Sequence, residues 1–211
     1  MSSAPTASRS LFDQPDARLD EHPEKPSDER DDDRSKGQGI DARSDLFAGQ
    51  ALDYYRPPES EALGLVRLRA SDTGLTEIVF VTEADASETP RPNALTDRAR
   101  AQLEEYFDGL RQTFDLPLAP KGTDFQQRVW QALATIPFGE TRCYAEIAEQ
   151  LRCKGGQRAV GRANGQNPLA IVVPCHRVIG SDGRMTGYAG GIGRKQWLLA
   201  HEAGEIPFDL G

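Results

Sequence analysis

Cysteine and histidine are scarce in this chain of 211 residues, and no long apolar run occurs. Its three thiols are Cys143, Cys153 and Cys175, an odd count without paired spacing. Such usage excludes a disulfide scaffold and fits reduced thiols in the cytoplasm. There is no CxxC, and His22, His176 and His201 are too dispersed to form a spaced ligand set, so no metal site is expected. No stretch approaches the roughly 20 apolar residues that a membrane span needs, and the N-terminus lacks a signal-peptide apolar core. The expectation is a soluble cytoplasmic protein with no membrane partner.

A formal charge of -8 argues against nucleic acid until the charges are located. Residues 1–60 carry 8 basic and 14 acidic side chains, whereas residues 121–203 carry 11 basic and 6 acidic. A basic segment hidden in an acidic average suits a DNA-facing domain, although chance produces the same asymmetry fairly often. Residues 1–60 are rich in Asp, Glu, Ser, Pro and Arg and read as a disordered acidic leader, its apolar residues too sparse to offset ordering. A short patch from Leu46 to Tyr55 is the one segment of it that could dock on a folded body.

Ordered structure is expected from Leu63. Val66, Leu68 and Ala70 alternate with Arg67 and Arg69, Ser71–Gly74 supplies a turn, and Ile78–Val81 is β-branched and aromatic. These make a hairpin. Thr96 then caps a helix with Ala99, Leu103, Phe107 and Leu110 on one face, so residues 61–119 form a small α/β domain with no evident chemistry. Residues 120–211 read as a mostly helical second domain. Thr123 and Gln126 match a capping box ahead of Phe125, Val129, Ala132 and Ile136. A helix from Tyr144 to Leu151, a Gly155-Gly156 break and a helix from Arg158 to Asn164 resemble a helix-turn-helix. An ordinary helical pair accounts for those residues equally well.

Chemistry concentrates in Pro174-Cys175-His176-Arg177-Val178. A thiolate is the reactive form of cysteine, and the adjacent imidazole and guanidinium are expected to lower the thiol pKa. A lone cysteine after an apolar run is more often a small buried hydrophobe. On an ideal strand His176 would point away from Cys175, so any relay between them requires a turn or helix start.

With Asn167-Pro168, Ile136-Pro137-Phe138-Gly139-Glu140-Thr141 plus Tyr144, Arg158-Ala159-Val160-Gly161 and Leu198-Leu199-Ala200-His201-Glu202, this pentapeptide resembles the O6-alkylguanine-DNA alkyltransferases, over about residues 63–204. The resemblance implies an α/β N-terminal domain followed by a winged helix-turn-helix-like domain. It implies direct reversal of O6-alkylguanine, with O4-alkylthymine left open as a second substrate, in double-stranded DNA by a single-turnover methyltransferase without cofactor. Cys175 would accept the alkyl group. His176 would deprotonate it through a bound water and be oriented by Glu202. Tyr144 would reach N3 of the flipped guanine, the amide of Ala189 its O6, and the carbonyls of Cys175 and Val178 its amine. Tyr188 would wall the pocket, Asn167 would hold the turn, and Arg158 would fill the space left in the duplex, with Ala159 and Gly161 permitting close approach. A monomer is implied, with clustering on DNA left open.

Some relatives carry serine at the position of Ala189, and Cys143 stands where the family often has serine. The cysteines of an N-terminal zinc site and the multi-cysteine regulatory domain of other relatives are lacking. Two alternatives stand beside this reading: a lesion-binding protein that does not react, whose known forms replace the cysteine, and a thiol hydrolase, which gives Tyr144 and Arg158 no task.

Overall fold

The computed structural model describes residues 49–58, 60–185 and 187–205. The expected leader therefore lies outside the described residues up to position 48. Its end does not. Ala51–Tyr55 form strand β1, followed by the single helical turn α1 (Ser60–Leu63), β2 (Leu65–Ala70) and β3 (Leu75–Val81). The three strands make an antiparallel meander in the order β1-β2-β3, with Asp53 opposite Leu68 and Leu68 opposite Ile78. The leader therefore gives way to the sheet well before residue 60. The reason is visible at Asp53, which is buried and charged in mid-strand and breaks the apolar alternation. Its carboxylate is held by Arg100 at 3.1 Å, as a buried charge requires.

The β2–β3 hairpin turns at Ser71–Gly74 as expected, closed by Ser71 N–H donating to the Gly74 carbonyl at 2.9 Å. Helix α2 spans Ala94–Phe107. Its N-cap is Asn93, and Thr96 is the third helical residue that completes the capping box, with Asn93 N–H donating to its hydroxyl at 2.9 Å. The cap expected at Thr96 thus sits three residues earlier. Leu110 lies beyond the helix end and is 80% exposed, while Tyr106 takes its place in the buried stripe.

Helix α3 (Asp124–Ala134) starts at the Thr123/Gln126 capping box and buries Val129, Trp130, Ala132 and Leu133. Strand β4 (Arg142–Cys143) leads into α4 (Tyr144–Gln150), and α5 (Gln157–Gly165) follows. A 3-10 turn, Cys175–Arg177, runs into β5 (Val178–Ile179), which pairs with β4 in parallel. Helix α6 (Ile192–Glu202) closes the chain. The 3-10 turn thus leads directly into a two-stranded ribbon.

One continuous core joins both halves, from Val66 and Ile78 of the sheet to Val129, Ile147 and Leu198. The free edge of β3 adds backbone bonds to this apolar contact. Ile78 N–H donates to the Pro168 carbonyl, and Ala170 N–H donates to the Ile78 carbonyl, both at 2.8 Å. The strand edge is thereby paired rather than left open. No helix of the described residues is long and apolar enough to cross a membrane.

Candidate active site

The segment between α5 and β5 is built to bend. Ile171, a buried β-branched residue, is held at φ 71°, where such side chains are strained. Pro174 has no N–H to donate, and Cys175 N–H donates back to the Val173 carbonyl at 2.8 Å. The 3-10 turn that follows meets the condition set by the sequence, since Cys175 and His176 are not on a flat strand. It separates the motif into two sides. The Cys175 side chain enters a pocket, while His176 and Arg177 reach the end of α6.

There the Glu202 carboxylate is a hub. Its Oε1 accepts from His176 Nε2 at 2.8 Å, Arg177 Nη2 at 2.9 Å and the Tyr106 hydroxyl at 2.8 Å. Its Oε2 accepts from Arg177 Nε at 2.7 Å and from Gly139 N–H at 3.3 Å. Gly139 has φ 75°, and a Cβ there would stand 3.2 Å from the Glu202 carbonyl oxygen, which explains a glycine after Pro137-Phe138. Arg177 also donates to the Ile136 carbonyl at 2.6 Å and lies over the Phe138 ring. Burial alone would push the Glu202 carboxyl up. The hydrogen bonds and charges of His176 and Arg177 outweigh it and hold the carboxyl well below the usual range.

This hub fixes the state of His176. Burial pushes the imidazole pKa down and Glu202 only partly restores it, so the ring is neutral. With Nε2–H committed to an ionised carboxylate, Nδ1 is the lone-pair nitrogen. It is buried and has no protein hydrogen-bond partner. A neutral imidazole with a free acceptor nitrogen is a base ready to take a proton.

The thiol is not poised in the way its neighbours suggest. Burial pushes the Cys175 pKa up; the Asn167 amide, the backbone and the charge of Lys195 oppose that rise without reversing it. The expectation that His176 and Arg177 lower it is corrected, because both turn to Glu202. Asn167 does grip the turn. Its Nδ2 lies 2.7 Å from the Val173 carbonyl and 3.1 Å from Cys175 Sγ, and its Oδ1 accepts from Leu169 N–H.

Cys175 lines a pocket of about 170 Å³ with Asn164, Asn167, Tyr188, Ala189 and, from β3, Val79 and Phe80. The buried Tyr188 hydroxyl has no hydrogen-bond partner of good geometry, although it and the thiol perturb each other's titration. The carbonyls assigned to substrate already serve the protein. That of Val178 accepts from Lys195 Nζ at 2.5 Å, and that of Cys175 accepts from Val178 N–H and Asn164 Nδ2. Tyr144 and Arg158 stand apart from the thiol pocket. With Gly161 and Gly187 they line a separate hollow of about 330 Å³. A Cβ at Gly161 would lie 3.7 Å from the Tyr144 ring, so α5 passes close to that side chain.

Arg158, Ala159 and Arg162 are exposed on α5 and border a further groove, of about 530 Å³, with Thr123, Gln126 and Gln166. Arg152, Lys154, Arg158 and Arg162 have no carboxylate partner among the described residues. By contrast six of the seven arginines described in the N-terminal half are paired, Arg91 being the exception. Sequence reading missed Tyr106, Lys195, Asn164, Val79 and Phe80. Tyr106 and the fully buried Lys195 belong to no local motif, and their partners lie far away along the chain. No group of three potential metal ligands gathers among the described residues.

Two family models match in tandem: the ribonuclease-like domain of 6-O-methylguanine DNA methyltransferase over residues 54–120, and its DNA-binding domain over residues 124–204. A methylated-DNA–protein-cysteine methyltransferase of Mycolicibacterium paratuberculosis is 49% identical over 162 residues, spanning 74% of this chain and 96% of that protein. The crystal structure of a Mycobacterium tuberculosis O6-methylguanine methyltransferase superposes with a TM-score of 0.65 at 46% identity, over 76% of this chain and 97% of that one. A Mycobacterium tuberculosis OGT in complex with DNA superposes at 0.63 with 48% identity, over 71% and 92% of the two chains.

Proposed function

The chain belongs to the 6-O-methylguanine DNA methyltransferase family, and from that premise we propose that it repairs DNA by moving the alkyl group of O6-alkylguanine onto Cys175. The observation that carries this reading is a thiol in a small pocket, set on the same turn as a neutral imidazole whose other nitrogen is locked to Glu202.

The chemistry is an in-line displacement. Cys175 Sγ forms a bond to the alkyl carbon, the bond from that carbon to O6 breaks, and the electron pair leaves with the purine. Because burial keeps Cys175 a thiol at rest, its proton must depart as the substrate arrives; His176 Nδ1 takes it, through a bridging water. Asn167 steadies the sulfur and the turn. Tyr144 gives its phenolic proton to N3 of the guanine so that the base leaves uncharged, and the proton taken up by His176 restores the phenol by way of water. The Ala189 amide meets O6, and Tyr188 walls the base. The Val178 carbonyl meets its amine with its second lone pair, and the Cys175 carbonyl does so by exchanging its bond from Asn164 Nδ2 for one from the base.

The lesion cannot be reached inside a stacked duplex, so the nucleotide is flipped out at a cost of a few kcal/mol. The cations of residues 152–162, which have no carboxylate partner among the described residues, support α5 as the surface that meets phosphate. Arg158 enters the duplex, and Ala159 and Gly161 let the backbone come close. An alkyl thioether has no easy hydrolytic exit, so each molecule acts once. Leu110, Met185 and Ile192 are the large apolar side chains exposed among the described residues, which supports a monomer.

Intact-mass measurement after incubation with a duplex carrying one O6-methylguanine, followed by peptide mapping, tests the reading. A gain of one methyl group on Cys175 is expected. Tight lesion-dependent binding without any gain would replace transfer with lesion sensing.

A further inference from the structure

We infer that Tyr106, contributed by the N-terminal half, is a positioning residue for the transfer: it donates to the carboxylate oxygen that holds His176 and thereby sets how readily the imidazole takes the thiol proton. The inference rests on the proposed role of His176 as base. Its geometry is independent of that role.

Tyr106 is fully buried, and its hydroxyl lies 2.8 Å from Glu202 Oε1, across 96 positions of sequence. The ring packs edge-on to Phe107 and Phe138 and tilted against Phe114 and His201. His201 Nε2 sits 2.9 Å from the Tyr106 carbonyl. In such aromatic surroundings phenylalanine would fill the space as well. A buried hydroxyl costs free energy unless it is bonded, so its presence points to the carboxylate.

Three donors share Oε1: Tyr106, His176 and Arg177. Donors on one anionic oxygen compete, because each partly neutralises the charge that attracts the others. Removing the phenol therefore strengthens the Glu202–His176 bond and stabilises the imidazolium. The acid limb of the transfer reaction, which reports the neutral imidazole, then moves to higher pH. Other groups bearing on the imidazole are Arg177 and Lys195, both opposing its protonation. Gly139 N–H on Oε2, and Cys175 and Tyr188 beyond the turn, complete the surroundings. None of these differs in a Tyr106→Phe variant.

The test is the single-turnover transfer rate of the full chain from about pH 5 to pH 8, with His176 ring resonances titrated in parallel by NMR. In Tyr106→Phe both the acid limb and the His176 titration should rise by roughly half a unit or more, the effect of one ordinary hydrogen bond. Site-specific 3-fluorotyrosine at position 106, a stronger donor, should move both the other way. Superimposed titrations with only a lower melting temperature would reduce Tyr106 to a packing residue and overturn the inference. If the Phe variant does not fold, the fluorotyrosine protein decides by the same criterion. Absence of transfer by the unaltered chain would refute the proposed function instead, while the NMR arm would still judge Tyr106.

Discussion

Two polar sites flank the Cys175–Arg177 turn, and they are finished differently. On one side Glu202 receives five hydrogen bonds, and its partners come from α2, the Gly139 turn and the 3-10 turn itself. Elsewhere around the turn, His176 Nδ1, the Tyr188 hydroxyl and the Asn164 Oδ1 are buried without a protein partner of good geometry. Native interiors rarely leave buried polar atoms unpaired. Two on the wall of the thiol pocket and one on the adjoining imidazole, against none around the carboxylate, separate a part that positions from a part made to receive something polar. The closed side gives the open side its fixed geometry.

The sharpest way to break this division is to remove the reacting atom. Cys175→Ala should abolish methyl transfer in the mass assay while lesion binding, read by gel shift, persists. Loss of both would make the thiol structural. Next, Glu202→Gln leaves the buried Arg177 guanidinium without its counter-charge. It should cost about 3–5 kcal/mol in urea denaturation, with transfer slowed in whatever fraction folds. A near-neutral result would mean that the hub is not what holds the turn.

A smaller effect separates the proposed base pocket from the surface proposed to open the duplex. Arg158→Ala should slow repair of duplex DNA far more than reaction with free O6-benzylguanine, because the free base needs no extrusion. Equal losses would remove Arg158 from that role.

The mildest test is pH. Glu202 is held below its ordinary 4.5 and His176 below its ordinary 6.5. The unfolded chain therefore takes up protons that the folded one refuses, and stability should decline as pH falls below about 6.5, more steeply below about 4.5. Cys175 is raised above its ordinary 9.0, so its side contributes stability that is lost as pH rises through that value and the unfolded thiol ionises. Melting temperatures across pH would show the closed side failing in acid and the open side in base. For Cys175→Ala the alkaline decline should shrink while the acid decline stays.

Much of this was legible beforehand. Thr123 and Gln126 announce a helix because capping is local chemistry, and the 3.6-residue apolar period places α3 and α4. The cysteine motif was visible because proline, thiol and imidazole adjoin in sequence. Adjacency misled on electrostatics, however. His176 and Arg177 neighbour Cys175 along the chain, yet the 3-10 turn sends them to Glu202. Tyr106 could not be read at all, since its meaning lies in an oxygen 96 residues away. Strand β1 was hidden because Asp53, a buried charge, is affordable only with Arg100 beside it.

The paired edge of β3 has a consequence for how this protein should be judged in use. Ile78 holds Pro168 and Ala170, so the approach to the turn is buttressed by the sheet, and Val79 and Phe80 wall the pocket. A catalyst that turns over can average its good and poor conformers across many cycles. A protein that reacts once cannot, and any molecule whose sheet has let go at the moment of encounter is simply missing from the tally. Weakening that seam should therefore lower the fraction of molecules that ever become alkylated, an endpoint yield, more visibly than it slows those that do.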